Sequence, residues 1–557
     1  MPEQSAVRER RTTGTLVMRT LAGYGIDVVF GIPGTHNLEF YRPLAGLGLR
    51  PVTTRHEQGA AYAADAWSQR TGHPGVVVTT SGPGLLNALS GAATSFAQSR
   101  PLLLIAPGPA RGAEFADVGT LHETRDQFSA ATAVVGWGRR VVTANEAVEA
   151  IHDAFAFFAS QRARPVYLEV PLDLLEEEIG ESSVPDAALA PRAVGSPAAA
   201  DASAVGQAAR LLAAAERPVI LAGGGSRGAA SAIRTLAERL AAPVVTTTSA
   251  KGVLDETHPL ALGSSLRLSP AREVARTADV LLVIGTKLGD AELWVDRLDA
   301  QGSVIRVDLS EEQLQKNQAA EVGLRADASV VVGQLCEALG DGPADAARTE
   351  EAAQRVARVH QETVEASRAM TPGSAAVAEA IAGALPPEAI VATDSSQVGY
   401  RALDVALSCR EPDTFLYMAT YATLGYGLPA GLGAAIADPE RPAYVVTGDG
   451  ALMFSVNEMA TVTEQGASVT VIVVDNGGYA EIKQNEVDLG IAPVGVDLVQ
   501  PDWPALAAAF LGHGVHVTSV GELAAALDAA REAGGLQLIH LHESDFLGDS
   551  SSSSEVA

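Results

Sequence analysis

Two short segments of this 557-residue chain carry the residue types needed to hold a divalent cation against a phosphate. Val445–Thr447 reads as the end of a strand, and Gly448-Asp449-Gly450 follows it at once. A helix-like segment with Asn457, Glu458 and Thr461 comes next. A second apolar run then ends at Asp475-Asn476-Gly477-Gly478. The Asp449 carboxylate and the Asn476 amide oxygen are thus expected at the C-terminal ends of two strands, the edge where doubly wound sheets take ligands. These two hard oxygens, a backbone carbonyl (assigned to Gly478), two phosphate oxygens and a water would complete the octahedron of Mg²⁺. The glycines let the backbone approach a diphosphate, and a helix N-terminus favours it. Gly340-Asp341-Gly342 has the same three letters, but Pro343 follows and no strand ending in Asn comes after it. It reads as an ordinary turn.

Such residues need a strand–helix scaffold. Apolar runs recur at Val28–Phe30, Val76–Thr80, Leu102–Ala106, Val166–Val170, Val219–Ala222, Val244–Thr247, Val280–Ile284, Val304–Val307, Ile390–Ala392, Tyr444–Thr447, Val469–Val474 and Leu536–Leu541. Most are continuous Val/Ile/Leu runs followed by helix-length segments. That pattern suits parallel strands covered by helices on both faces, and it predicts an α/β chain of three doubly wound parallel-sheet domains. A Pro-, Ala- and Ser-rich stretch at 182–203 and a charged, helical stretch at 340–374 read as linkers. The expected domains are residues 1–181, 204–340 and 372–548, with a Ser-rich, disordered tail at 549–557. The outer blocks resemble each other. VVVTTSGPGLLNALSGAATSFAQSRPLLLIAPG (76–108) and YVVTGDGALMFSVNEMATVTEQGASVTVIVVDNG (444–477) share strand, glycine turn, small-residue helix and strand at nearly equal spacing. A duplicated pair of domains could share one ligand at their interface.

Composition narrows the function classes. Asp plus Glu number 67 against 39 Lys plus Arg, a net charge of −28. Such a surface repels polyanions, so nucleic-acid partners are not expected. No uninterrupted apolar run approaches the roughly 18 residues of a membrane span. The N-terminal MPEQSAVRERRTTG lacks the apolar core of a secretory signal. Two cysteines, Cys336 and Cys409, cannot staple a chain this long and fit a reducing cytosol. A cytoplasmic location is expected.

Gly448-Asp449-Gly450 followed some two dozen residues later by Asn476 resembles the signature of the thiamine-diphosphate (ThDP) enzymes of the acetolactate synthase and 2-oxo acid decarboxylase group. The first position of the usual Asn pair is Asp475 here. The resemblance covers nearly the whole chain, in the order pyrimidine, middle and diphosphate domains. It implies ThDP and Mg²⁺ as cofactors, with Asp449, Asn476 and Gly478 at the metal and Gly448, Gly450 and Tyr479 beside the cofactor. Glu57, in Arg55-His56-Glu57-Gln58-Gly59, matches the glutamate that hydrogen-bonds the aminopyrimidine. In the family this residue comes from a neighbouring subunit, which implies a homodimer at least and a tetramer by analogy, with active sites at the dimer interface. Leu424, in Ala422-Thr423-Leu424-Gly425-Tyr426-Gly427, stands at the wedge position that bends the cofactor. The Ala422 carbonyl would accept from its amino group. Thr35 and His36, in Phe30-Gly31-Ile32-Pro33-Gly34-Thr35-His36-Asn37, and His122, in Leu121-His122-Glu123-Thr124, fall where relatives approach substrate.

The implied chemistry is attack of the cofactor's C2 ylide on a 2-oxo acid, loss of CO₂, and an enamine that is protonated or captured by a second carbonyl compound. Several departures bear on that choice. The run Thr132–Val141 lacks a Lys-His pair expected of synthases, and Tyr479–Gln484 lacks their substrate-selecting tryptophan. Pyruvate decarboxylases carry a His-His pair, absent here, and a glutamate where this chain has Ile482. Glu481 is one residue earlier. Gly119–Gln127 and Pro493–Asp497 look closest to a branch that includes 5-guanidino-2-oxopentanoate decarboxylases, whose cationic substrate would suit a pocket bearing Glu481 or Asp126. Decarboxylation is the favoured reading, with acetolactate synthase-like carboligation and a catalytically silent ThDP-binding subunit as alternatives. The glycine turns at 222–228 and 284–286 leave FAD as the lesser expectation for the middle domain.

Overall fold

The structure is a computed structural model that describes residues 10–547 except 194, 196 and 343. The first nine residues and the expected disordered tail lie outside the described residues. Three six-stranded sheets, every neighbouring pair parallel, carry the chain. The first holds β1 (Val28–Gly31), β2 (Arg50–Thr53), β3 (Gly75–Val78), β4 (Leu102–Gly108), β5 (Trp137–Arg140) and β6 (Val166–Pro171), in the order β2-β1-β3-β4-β6-β5. The second holds β7 (Pro218–Ala222), β8 (Val244–Thr246), β9 (Ala261–Gly263), β10 (Val280–Ile284), β11 (Ser303–Asp308) and β12 (Val322–Arg325), in the order β12-β11-β10-β7-β8-β9. The third holds β13 (Ile390–Thr393), β14 (Phe415–Leu416), β15 (Ala443–Gly448), β16 (Val469–Asp475), β17 (His513–His516) and β18 (Leu536–His542), in the order β14-β13-β15-β16-β18-β17.

Each of the twelve apolar runs read from the sequence is a strand, and each lies inside a sheet. The six strands not anticipated are the six edges: β2, β5, β9, β12, β14 and β17. An inner strand is covered by helices on both faces and must be apolar throughout; an edge strand is partly wet. β16 is buried at every residue, whereas β17 is exposed at both ends and no residue of β5 is fully buried. The first and third sheets share one strand order, as the duplication predicted. The second has the order of a dinucleotide-binding sheet, with β7 at its centre.

The chain divides into two compact units, Met1–Gly195 and Ser196–Ala557. The division falls inside the Pro-, Ala- and Ser-rich stretch. The second unit contains the second and third sheets. Between them runs the 25-residue helix Ala346–Met370, which packs on the helices Ser269–Arg276 and Pro372–Ala384. Gly340 ends the helix Ala328–Leu339 with φ +75°, so the second Gly-Asp-Gly sits at a helix end rather than a strand end. Among the described residues, no helix is long and apolar enough to cross a membrane.

Buried charge joins the two sheets of the second unit. Lys251 Nζ donates to Glu256 Oε2 at 2.6 Å and to the Asp404 carbonyl at 2.9 Å. Glu256 also accepts from the Cys409 N–H at 2.7 Å, and Arg267 lies 2.6 Å from the Asp404 carboxylate. Burial opposes the Lys251 charge, but Glu256 and Asp404 outweigh it and hold the ammonium protonated. Lys251→Met leaves Glu256 buried without its cation, a cost of about 3–5 kcal/mol. A urea transition moved to clearly lower concentration is expected; an unmoved midpoint would show the lysine to be dispensable.

Candidate active site

The pairing of β15 with β16 sets Gly448 opposite Val474. One residue further on, Asp449 and the Asp475-Asn476 pair leave adjacent strand ends. Asp449 opens the short helix Asp449–Leu452, and the Gly448 N–H donates to Ser396 Oγ at 2.8 Å. Two glycines are dictated sterically. Gly478 has φ +142°, and an added Cβ would stand 2.1 Å from the Val496 carbonyl oxygen. At Gly450 a Cβ would stand 2.8 Å from the Tyr479 ring. The turn is also laced to Val496–Leu498: the Tyr479 N–H donates to the Val496 carbonyl at 2.8 Å, and the Leu498 N–H to that of Gly477 at 3.0 Å. Val496–Leu498 is therefore the backbone support of the glycine turn.

A cavity of about 620 Å³ opens on this edge within the second unit. It gathers all ten residues singled out there: Ala422, Leu424, Gly448, Asp449, Gly450, Asn476, Gly478, Tyr479, Glu481 and Ile482. Asp449 is buried, and burial together with the neighbouring Asp475 charge pushes its carboxyl up to about 6. A cation is the natural counterweight to two adjacent carboxylates at one sheet edge. One carboxylate, one amide oxygen and one carbonyl are the hard donors that Mg²⁺ takes, beside a turn that glycine keeps open to a diphosphate. The donor set fits the implied group.

Asp394 was missed in the sequence. It directly follows β13, and its buried carboxylate accepts from the N–H groups of Ser395 (3.0 Å), Gly425 (3.0 Å) and Gly427 (2.9 Å). These bonds clamp the turn that carries Leu424 and Ala422, the latter in the left-handed region at φ +52°. An acid immediately after an apolar run, as in Thr393-Asp394-Ser395-Ser396, was the available signal. Arg267, Trp294 and Arg401 were also missed. All three line the cavity, the first two from loops of the second sheet.

Glu481 differs from expectation. Its two oxygens accept from Gln397 Nε2 at 2.7 Å and Arg401 Nη2 at 2.6 Å. Burial would raise this carboxyl, but those two partners hold it below the usual range. It is therefore already matched by an internal guanidinium. Asp126 lines a different cavity in the first unit, where its carboxylate caps the helix Gln127–Thr132.

In the first unit, Glu57 opens the helix Glu57–Thr71 and is 8% exposed. Its Oε2 accepts from Asn87 Nδ2 at 3.0 Å, and a Cβ at Gly84 would stand 3.1 Å from Oε1. The Ser81–Gly84 turn thus leaves room beside this carboxylate. His36 Nδ1 lies 2.7 Å from Ser81 Oγ, and the His36 and His122 ring centroids are 5.0 Å apart. Burial, helped by His122, holds His36 below its ordinary range and therefore neutral at pH 7. Thr35 is exposed beside it. In the second sheet, the glycine turns after β7 and β10 pack on each other: the Gly225 N–H donates to the Gly285 carbonyl at 3.0 Å, and a Cβ at Gly285 would stand 2.7 Å from Gly225 Cα. This contact requires glycine at both positions.

Burial, opposed by its N–H partners, pushes the Asp394 carboxyl up to about 6 in the fold, against an ordinary 3.8. Between those values the folded state holds a proton that the unfolded chain has released. This group's contribution is full below about pH 4 and lost as pH rises through about 6. Asp394→Asn should flatten that decline in urea unfolding compared at about pH 5 and 7.5. An unchanged slope would assign the decline to other groups.

Comparison with known proteins gives the family. Residues 11–130 match the family described as thiamine pyrophosphate enzyme, N-terminal TPP binding domain; residues 205–335 match its central domain and 397–541 its C-terminal TPP binding domain. The chain is 38% identical to the probable 2-ketoarginine decarboxylase AruI of Pseudomonas aeruginosa, over 90% of this chain and 88% of that protein. It is 30% identical to the probable acetolactate synthase large subunit of Methanocaldococcus jannaschii (87% and 85% covered) and to the acetolactate synthase isozyme 1 large subunit of Escherichia coli (86% and 84%). With three matched domains in order and a glycine-lined strand edge bearing hard oxygen donors, the chain belongs to the thiamine pyrophosphate enzymes.

Proposed function

We propose that this protein is a ThDP- and Mg²⁺-dependent decarboxylase of a 2-oxo acid whose side chain carries positive charge. The observation that carries the reading is the convergence of Asp449, Asn476 and Gly478 with Ala422 and Leu424 on one cavity. When bound, the cofactor supplies the electron sink that lets CO₂ leave a 2-oxo acid. The chain's residues do the rest. Asp449, Asn476 and the Gly478 carbonyl hold Mg²⁺ and the diphosphate, and Gly448, Gly450 and Tyr479 shape their cradle. Leu424 and the Ala422 carbonyl line the cavity where they would pack against the cofactor and accept from its amino group. Glu57, supplied by a second copy of the chain in a homodimer or homotetramer, would hydrogen-bond the aminopyrimidine and supply the carboxyl that tunes its basicity. His36 and His122 move protons near the substrate, with Thr35 beside them.

The charge of the substrate rests on the relative named as a 2-ketoarginine decarboxylase. Glu481 is the carboxylate at hand in the cavity, although Arg401 already pairs with it. Carboligation is a second reading favoured by one observation: Ile482 offers no proton at the place where simple decarboxylases have an acid. A soluble, cytoplasmic setting accords with both.

The test is CO₂ release from 5-guanidino-2-oxopentanoate and from uncharged 2-oxo acids, with ThDP and Mg²⁺ supplied. Glu57→Gln should reduce release about 10²–10⁴-fold, and Asp449→Ala should fail to retain ThDP. Equal turnover of an uncharged acid would remove the cationic part of the proposal. Product that incorporates an added acceptor carbonyl would favour carboligation. No release from any acid, with ThDP still bound, would leave a silent subunit.

A further inference from the structure

The Asp475 that replaces the usual first Asn of the motif has partners of its own. Strand register brings them together. β16 pairs with β18 so that Asp475 faces His542, and β17 pairs with β18 so that His516 faces His540. His540 and His542 are two residues apart and therefore share one face of the sheet. Three imidazoles and one carboxylate thus gather at the C-terminal end of three adjacent strands. Asp475 and His540 are buried, at 3% and 8% exposure, while His542 and His516 reach solvent.

We propose that Asp475, His540 and His542 form a binding site for a divalent transition ion of the zinc class, with His516 orienting His540. His540 Nε2 lies 3.1 Å and His542 Nδ1 3.7 Å from Asp475 Oδ2, and one donor atom from each of the three residues falls within 4.8 Å of the others. Donors bound at zinc's usual distances stand about 3.3 Å apart at the corners of a tetrahedron. The two distances from Asp475 Oδ2 bracket that spacing, and His542 is exposed to water. Two imidazoles and a carboxylate suit a borderline ion better than Mg²⁺, which prefers oxygen. Ligation through Nε2 leaves His540 Nδ1 free to bond His516 Nδ1, 3.0 Å away. A metal-bound imidazole ordinarily has such an outer partner, which fixes its tautomer and ring orientation. None of the three ligands lines the cofactor cavity, so the site does not depend on which 2-oxo acid the enzyme takes. Asp475 nevertheless directly precedes Asn476, and its other oxygen accepts from the Gly477 N–H at 2.9 Å. An ion here would brace the turn that carries Asn476.

Without a metal the same atoms form a hydrogen-bonded chain from Asp475 through His540 to His516, and the test separates the two. The ThDP- and Mg²⁺-saturated holoenzyme is titrated with Co²⁺, and then with Zn²⁺ as competitor, by calorimetry and visible absorption. Excess Mg²⁺ keeps the oxygen site filled. The proposal expects one Co²⁺ per chain with the strong visible bands of low coordination, displaced by Zn²⁺. His542→Ala, at an exposed position, should weaken binding at least tenfold. His516→Ala should weaken it about 10-fold through its effect on His540. Absence of uptake at micromolar metal, or uptake that His542→Ala leaves unchanged, would overturn the site and leave the hydrogen-bonded chain.

Discussion

The parallel pairing of β15 with β16 is the constraint on which the site depends. Because Gly448 is held opposite Val474, Asp449 leaves its strand level with Asp475 and next to Asn476. A shift of one residue would turn every side chain of β16 to the other face and separate Asp449 from Asn476. The register is secured by burial, since every residue of β16 is enclosed and no residue of β15 before Gly448 is exposed. The apolar strands therefore do more than build a core: they set two polar residues side by side at a spacing that neither strand could enforce alone.

Around that edge, the backbone is shaped by close approach and by buried hydrogen bonds. Gly478 permits the turn to run against Val496, which no side chain could allow. Asp394 does the complementary work, collecting N–H groups from the segment before the helix Gly427–Ala437 and so placing Leu424 and Ala422 on the cavity wall. Buried N–H groups need partners, and one carboxylate serves several. Those donors favour the charged form, but burial outweighs them and drives the carboxyls of Asp394 and Asp449 upward.

The departures from the family pattern have structural counterparts. Asp475 in place of Asn is accompanied by His540, His542 and His516 on the neighbouring strands, an arrangement an amide would not hold as firmly. Glu481 is accompanied by Arg401, which lies on a π-helical turn, Val398–Leu403, and stands over the Trp294 ring. Wide turns of this kind recur at functional sites. Here the turn brings Gln397, Tyr400 and Arg401 to the same cavity as the glycine turn, so the chemistry of the pocket is set jointly by the third sheet and by loops of the second.

The sequence by itself determined the inner strands and the glycine turns, because each of these leaves a local mark; Asp449, Asn476 and Glu57 were singled out through the resemblance to the family. A strand buried on both faces must be apolar throughout, and a backbone pressed against a neighbour must be glycine. Edge strands leave no such mark. Arg50–Thr53 and His513–His516 are recognisable as strands only once a neighbour supplies the ladder. Tertiary structure alone decided which side chains meet across long stretches of chain: Asp394 with Gly425 and Gly427, Arg401 with Glu481, and Asp475 with His540. Those meetings depend on register and loop path, which are set by the packing of the whole sheet and are written in no single segment.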